Sequence, residues 1–150
     1  MTDALAEVTS LLQEATALMK SDAKAAVGKL EAAYALASEN GAPSDQAAVA
    51  EELARGYIRR KAPAQSLHYA CKATKLTPER KSAWNTLGKT CELLATRTDA
   101  SHRRRGAALF RGAAMAFKKA ASLTKDPEDK RWLLELASDA AKQGKVPATT

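Results

Sequence analysis

The sequence predicts an all-α protein of about seven helices arranged as antiparallel pairs. Three observations predict it. Alanine is abundant while aromatic residues make up only 5% of the 150 residues, a balance that suits helices held apart by small side chains. Apolar residues recur at helical spacing in successive segments, each bounded by capping residues. Several of those apolar positions return 34 residues later, a period that belongs to stacked helical repeats.

The elements follow in order. Thr2 or Asp3 is placed to cap a first helix whose broad apolar face carries Leu5, Val8, Leu11, Leu12, Ala15, Leu18 and Met19. Ser21 and Asp22 interrupt it. The second helix carries Ala26, Val27, Leu30, Ala33, Tyr34 and Ala37, and Asn40-Gly41-Ala42-Pro43 ends it. Ser44 or Asp45 opens a third helix with Val49, Leu53, Ala54, Tyr57 and Ile58. Lys61-Ala62-Pro63 turns the chain into a fourth, with Leu67, Ala70, Cys71, Ala73 and Leu76. Thr77-Pro78-Glu79 reads as a cap, a proline and an acidic first turn for the fifth helix, which holds Trp84, Leu87, Gly88, Cys91 and Leu94. An irregular, basic stretch runs from Thr96 to Gly106. The sixth helix then carries Leu109, Phe110, Ala113, Met115, Phe117, Ala120 and Leu123. Asp126-Pro127 caps a seventh, with Trp132, Leu133, Leu136, Ala137 and Ala140.

Ala50, Leu53, Ala54 and Tyr57 align with Trp84, Leu87, Gly88 and Cys91 at a spacing of 34. Ala26, Leu30, Ala33 and Leu36 align with Ser66, Ala70, Ala73 and Leu76, and these with Ala113, Phe117, Ala120 and Leu123. Trp84-x2-Leu87-Gly88-x2-Cys91, and Leu53-Ala54-x2-Tyr57 followed by Ser66-x3-Ala70-x2-Ala73 and Pro78, resemble the tetratricopeptide-repeat (TPR) motif over residues 4–144. The resemblance implies a right-handed superhelix of helix pairs over about 3–40, 45–76 and 79–124, with a basic insert at 96–112. A capping helix at 127–143 and a frayed tail at 145–150 complete a single TPR domain spanning 1–150. Small residues such as Ala54 and Gly88 would let paired helices approach closely.

Net charge is +7 but unevenly placed. Residues 1–54 carry −6, residues 55–125 carry +14 and residues 126–150 carry −1. Such a block points to an anionic partner. The resemblance implies that first helices of each pair line a concave groove. Arg55, Arg59, Asn85 and Lys89 fall at its groove positions, with Arg55 and Lys89 repeat-equivalent, a pattern suited to carboxylates or phosphates. The second candidate is the insert, where Arg97, His102, Arg103, Arg104, Arg105 and Arg111 crowd within 15 residues.

The expected function is a protein-binding adaptor that holds an acidic or phosphorylated segment. A structural subunit of a large cytoskeletal or flagellar assembly is an alternative. Nucleic-acid binding is another, less favoured because Tyr57, Trp84 and Phe117 are core positions of the motif. Some TPR proteins grip the acidic C-terminal tails of chaperones with a Lys/Asn/Arg clamp. The matching places here hold Glu52, Ser82 and Thr86, so that ligand is not expected. No nucleophile, phosphate-loop or metal motif stands out, and neither His68 nor His102 has a partner at motif spacing. The chain therefore reads as a non-enzyme without cofactor or metal. Cys71 and Cys91 read as reduced core thiols. With no leader or membrane-length apolar run in sight, a cytoplasmic address and no membrane partner are expected.

Overall fold

The structure is a computed structural model that describes residues 2–145. Among them every regular element is helical. They are α1 (Thr2–Leu18), α2 (Ala23–Asn40), α3 (Pro43–Arg59), α4 (Pro63–Leu76), α5 (Lys81–Thr96), α6 (Arg103–Leu123) and α7 (Pro127–Gln143), with a short 3-10 turn at Ala100–His102. The all-α class and the seven helices match the sequence reading. The chain forms two compact units divided between Pro78 and Glu79. The frayed tail expected at 145–150 lies, beyond Lys145, outside the described residues.

In the first unit α1 packs on α2, α2 on α3 and α3 on α4. The apolar faces read from periodicity supply the core: Val8, Ala15, Ala26, Val27, Leu30, Ala33, Ala37, Val49 and Leu53 are buried together. Leu5 departs from this face and is 40% exposed, one turn before the core begins at Val8. Asp22 caps α2 by accepting the Ala25 N–H at 3.1 Å. Ser66 on α4 is fully buried and donates to the Ala54 carbonyl at 2.8 Å, so the pair is tied together where its hydroxyl would otherwise be stranded. The α3–α4 turn closes by Lys61 N–H to the Ile58 carbonyl and Ala62 N–H to the Tyr57 carbonyl, at 3.0 and 2.8 Å. That pairing is a Schellman closure. Its left-handed position, usually glycine, holds Lys61 at φ 60°.

The three tyrosines of the chain meet in this unit. Tyr57 stacks on Tyr69 with ring centres 5.8 Å apart, and Tyr34 meets Tyr69 edge-on at 5.5 Å. The Tyr57 hydroxyl donates to Glu31, and the Arg60 guanidinium lies over its ring. Burial, then the Glu31 carboxylate, push the Tyr57 phenol from its usual 10.0 up to about 12.

In the second unit α6 is the central element, packed against both α5 and α7. Phe117 and Leu133 are its largest enclosed side chains. The Phe117 ring lies against Gly88 of α5. A Cβ there would come within 2.7 Å of the ring, so close approach requires glycine at this position. Lys81, at the start of α5, pairs with Asp129, at the start of α7. Asp126 caps α7 through the Glu128 N–H at 3.1 Å.

Local details correct the sequence reading. α1 already includes Thr2 and Asp3, and α3 begins at Pro43, where the Ala42 N–H donates to Asp45 at 3.0 Å. Thr77-Pro78-Glu79 does not open α5, which begins at Lys81. The Thr77 hydroxyl and N–H both return to the Ala73 carbonyl and close α4 instead. On α7 the buried stripe is Leu133, Ala137 and Ala140, while Trp132 is 44% exposed. Met115, read as part of the apolar face of its helix, is 62% exposed.

Two outcomes follow from this packing. Gly88→Ala is expected to destabilise the protein by about 1–3 kcal/mol in urea unfolding, because the enclosed Phe117 ring cannot give way. The Tyr57 phenol is held protonated more firmly in the folded state, so the stability it contributes is full below pH 10.0 and is lost as pH rises towards 12. Unfolding of Tyr57→Phe should therefore be less pH-dependent than that of the parent between pH 10 and 12, the difference in slope reaching at most about 1.4 kcal/mol per pH unit.

Candidate functional site

Arg55 and Arg59 belong to the first unit, and Asn85 and Lys89 to the second. Arg55 is exposed, yet its guanidinium is turned back onto its own helix. It pairs with Glu52, and with Glu51 at 3.7 Å. Glu51 is only 1% exposed. A carboxylate that deep needs a compensating cation, so Arg55 has a local task that the groove reading missed. The i,i+3 and i,i+4 spacings to two glutamates were the signal for it. Arg59, one turn on, is exposed.

Asn85 is half-buried, and its side-chain carbonyl oxygen is enclosed without a hydrogen-bond partner among the described residues. Lys89 is exposed and holds its ammonium 5.7 Å from the centre of the Trp132 ring. Glu92 follows on the same side of α5. Burial, the Asp139 carboxylate and, in opposition, Lys89 act on it, with the net result that its carboxyl is pushed above the usual range. Glu92 and Asp139 line a cleft of about 360 Å³ between α5 and α7, floored by Phe110. This part of α5 therefore presents charges of both signs, where the spacing of Arg55 and Lys89 suggested a single cationic stripe.

The insert differs most from its sequence reading. Read as irregular from Thr96 to Gly106, it is helical from Arg103 onward. Arg103, Arg104 and Arg105 form the first turn of α6, and Arg111 lies two turns on. Arginine, alanine and leucine are strong helix formers, and the run from Arg103 to Phe110 contains little else. The irregular segment shrinks to Arg97-Thr98-Asp99 and one 3-10 turn. Arg97 is exposed at the end of α5. His102 bonds Asp99 at 2.8 Å, and the Ser101 hydroxyl donates to the same carboxylate at 2.6 Å. These bonds hold the Asp99 carboxyl below its usual range. Arg111 donates to the Gly144 carbonyl at 2.8 Å. A Cβ on Gly144 would meet the Arg111 side chain at 2.7 Å.

The three arginines at the start of α6 are exposed. No acidic residue shares that turn, and no side chain caps it. Their positive charge adds to that of the helix end instead of opposing it. An anion there would relieve both.

No group of three or more His, Cys, Asp or Glu side chains gathers as metal ligands among the described residues. Cys91 is buried and Cys71 half-buried, with burial pushing the Cys71 thiol up. Among the described residues no helix is long and apolar enough to cross a membrane.

The Glu92 environment yields a measurable consequence. A carboxyl raised in the folded state contributes most below its ordinary pKa and loses that contribution as pH rises through the folded value. Glu92→Gln is therefore expected to raise the melting temperature at pH 7 and to leave it nearly unchanged at pH 4, read by thermal unfolding at both.

No protein-family model matches the chain, and no curated protein matches it.

Proposed function

We propose that this protein is a tetratricopeptide-like helical-repeat scaffold, not an enzyme, that holds an acidic or phosphorylated segment of a partner protein. The arginine run at the start of α6 is its primary contact. The observation that carries this reading is the uncapped first turn of α6, where Arg103, Arg104 and Arg105 are all exposed with no acid in the turn. Arginine forks suit carboxylates and phosphates alike. Arg97 stands within the same stretch and extends the positive field.

The repeat part of the reading is supported by the sequential pairing of α1 with α2, α3 with α4 and α5 with α6. It is also supported by the close approach of Phe117 to Gly88, at the motif's small position. Arg55 and Arg59 of the first unit, and Asn85 and Lys89 of the second, are secondary contacts in this reading. Arg55 already serves Glu51 and Glu52, and Lys89 already lies over Trp132. Single-stranded nucleic acid is a weaker fit, because Tyr34, Tyr57 and Tyr69 pack against one another instead of offering faces to bases.

The test is fluorescence anisotropy with a labelled hexaglutamate peptide at low and moderate salt. Binding is expected to weaken with salt. Replacing Arg103, Arg104 and Arg105 together with Glu should weaken it about tenfold or more, given three contacts of up to about 1 kcal/mol each. Arg59→Glu with Lys89→Glu should change it by less than about threefold. Equal affinity for the parent and the triple variant would sink the assignment.

A further inference from the structure

α6 is packed on two sides, and its third side is open. The exposed residues of that side follow a seven-residue rhythm. Arg104, Arg111 and Lys118 are seven apart and all exposed. Between them Ala108, Met115 and Ser122 repeat at the same interval, and they too are exposed. Residues 103–125 contain seven Lys or Arg and no Asp or Glu. Seven residues span about 10.5 Å along a helix, and a seven-residue row drifts only about 20° per step. The cations therefore lie in one nearly straight file over four turns, with small or flexible apolar residues set into it.

A second feature adjoins the file. Met115, 62% exposed, borders a cleft of about 380 Å³ between α6 and the end of α7. Ala114, Ala141 and Gly144 line it with Met115, and Arg111 and Lys118 stand at it. The bond from Arg111 to the Gly144 carbonyl fixes that side chain beside the opening. The face thus combines a shallow apolar hole with cations at regular spacing.

We propose that this open face of α6 is a docking seam for an acidic amphipathic helix. Such a helix carries carboxylates every seventh residue and one apolar side chain that enters the cleft beside Met115. The proposal rests on the reading above only in taking the partner to be acidic. Charge complementarity and matching period argue for this occupant. A helix presenting carboxylates at the same interval meets Arg104, Arg111 and Lys118 in register, at the shallow crossing angle of coiled-coil contacts. Ala108, exposed on this face, leaves room for a close backbone approach. Met115 adds a flexible apolar contact of the kind that adapts to a partner helix. A nucleic-acid strand offers a phosphate every 3.4 Å of rise and nothing to enter an apolar cleft. A membrane surface requires an apolar face, and that of α6, with Phe117, is turned inward.

The experiment uses the full chain and a labelled 21-residue helical peptide with Glu at every seventh position and Leu between. A scrambled peptide of the same composition, hexaglutamate, a 20-base-pair DNA duplex and phosphatidylserine vesicles are the comparisons. The striped peptide should bind about tenfold more tightly than the scrambled one. Met115→Asp with Lys118→Glu should remove that advantage while hexaglutamate binding stays within about threefold of the parent. Both residues are exposed, and circular dichroism checks that the variant keeps its helices. Equal binding of striped and scrambled peptides overturns the seam, as does DNA or vesicle binding that exceeds peptide binding and depends on Lys118. Loss of hexaglutamate binding in the arginine triple variant, with no striped-peptide advantage in the parent, retains the first site and rejects the seam. A striped-peptide advantage lost in Met115→Asp with Lys118→Glu, with hexaglutamate insensitive to the triple variant, does the reverse.

Discussion

Helices in this protein pack through alanine, and most of its other features answer to that constraint. Among the described residues, nineteen of the twenty-nine buried apolar side chains are alanine. Side chains this small let backbones come close and lose no rotamer freedom on burial. They also bury little area, so the apolar driving force falls on few residues: Val27, Leu30, Leu53, Phe117 and Leu133 are the largest enclosed apolar side chains. Each of these needs room made for it. Phe117 finds it at Gly88, where any side chain would collide with the ring. Two fully buried hydroxyls are bonded to main-chain carbonyls, one across a helix pair and one within its own helix. Ser66 reaches the Ala54 carbonyl and Thr90 the Thr86 carbonyl, both fully buried.

The same constraint shapes the surface. A narrow alanine face covers only part of a helix, and the remainder must carry water-compatible groups. On α6 that remainder is large, because the helix is long and its buried stripe is mainly Ala113, Ala116, Phe117 and Ala120. Arginines and lysines occupy it without a single acid. On α3 a similar surplus is resolved within the helix, since Arg55 folds onto Glu51 and Glu52. The two cationic stretches therefore differ in kind. On α3 the charge is matched at short range, and on α6 it is left to the solvent or a partner. The field around the second unit follows from that difference.

Much of the fold was legible in the chain because local chemistry decides it. Asp22 and Asp126 cap the helices they precede, and Pro43, Pro63 and Pro127 each stand first in a helix. These are interactions between neighbours in sequence. The site was less legible. Thr96 to Gly106 read as irregular because a run of like charge carries no apolar period. Helix propensity carried it into α6 instead. Arg55 looked available because repeat spacing takes no account of the glutamates three and four residues before it. The cleft that joins Glu92 to Asp139 involves residues 47 positions apart, and no periodicity reports on such a meeting.

Read alone, the sequence determined the helices, the positions of most turns, the alanine faces and the accumulation of positive charge between Arg55 and Lys125. All of these depend on intrinsic propensity, on caps and on a 3.6-residue period, which act over a turn or two. Only the tertiary structure decided which apolar residues stay outside and which charges stay uncompensated. Trp132 lies at the edge of its apolar stripe and Met115 on the side of α6 opposite Phe117, and both stay exposed. Arg104, Arg111 and Lys118 form an open file because α5 and α7 cover the other sides of α6. Burial is a property of two surfaces at once, and only one of them is written in any stretch of sequence.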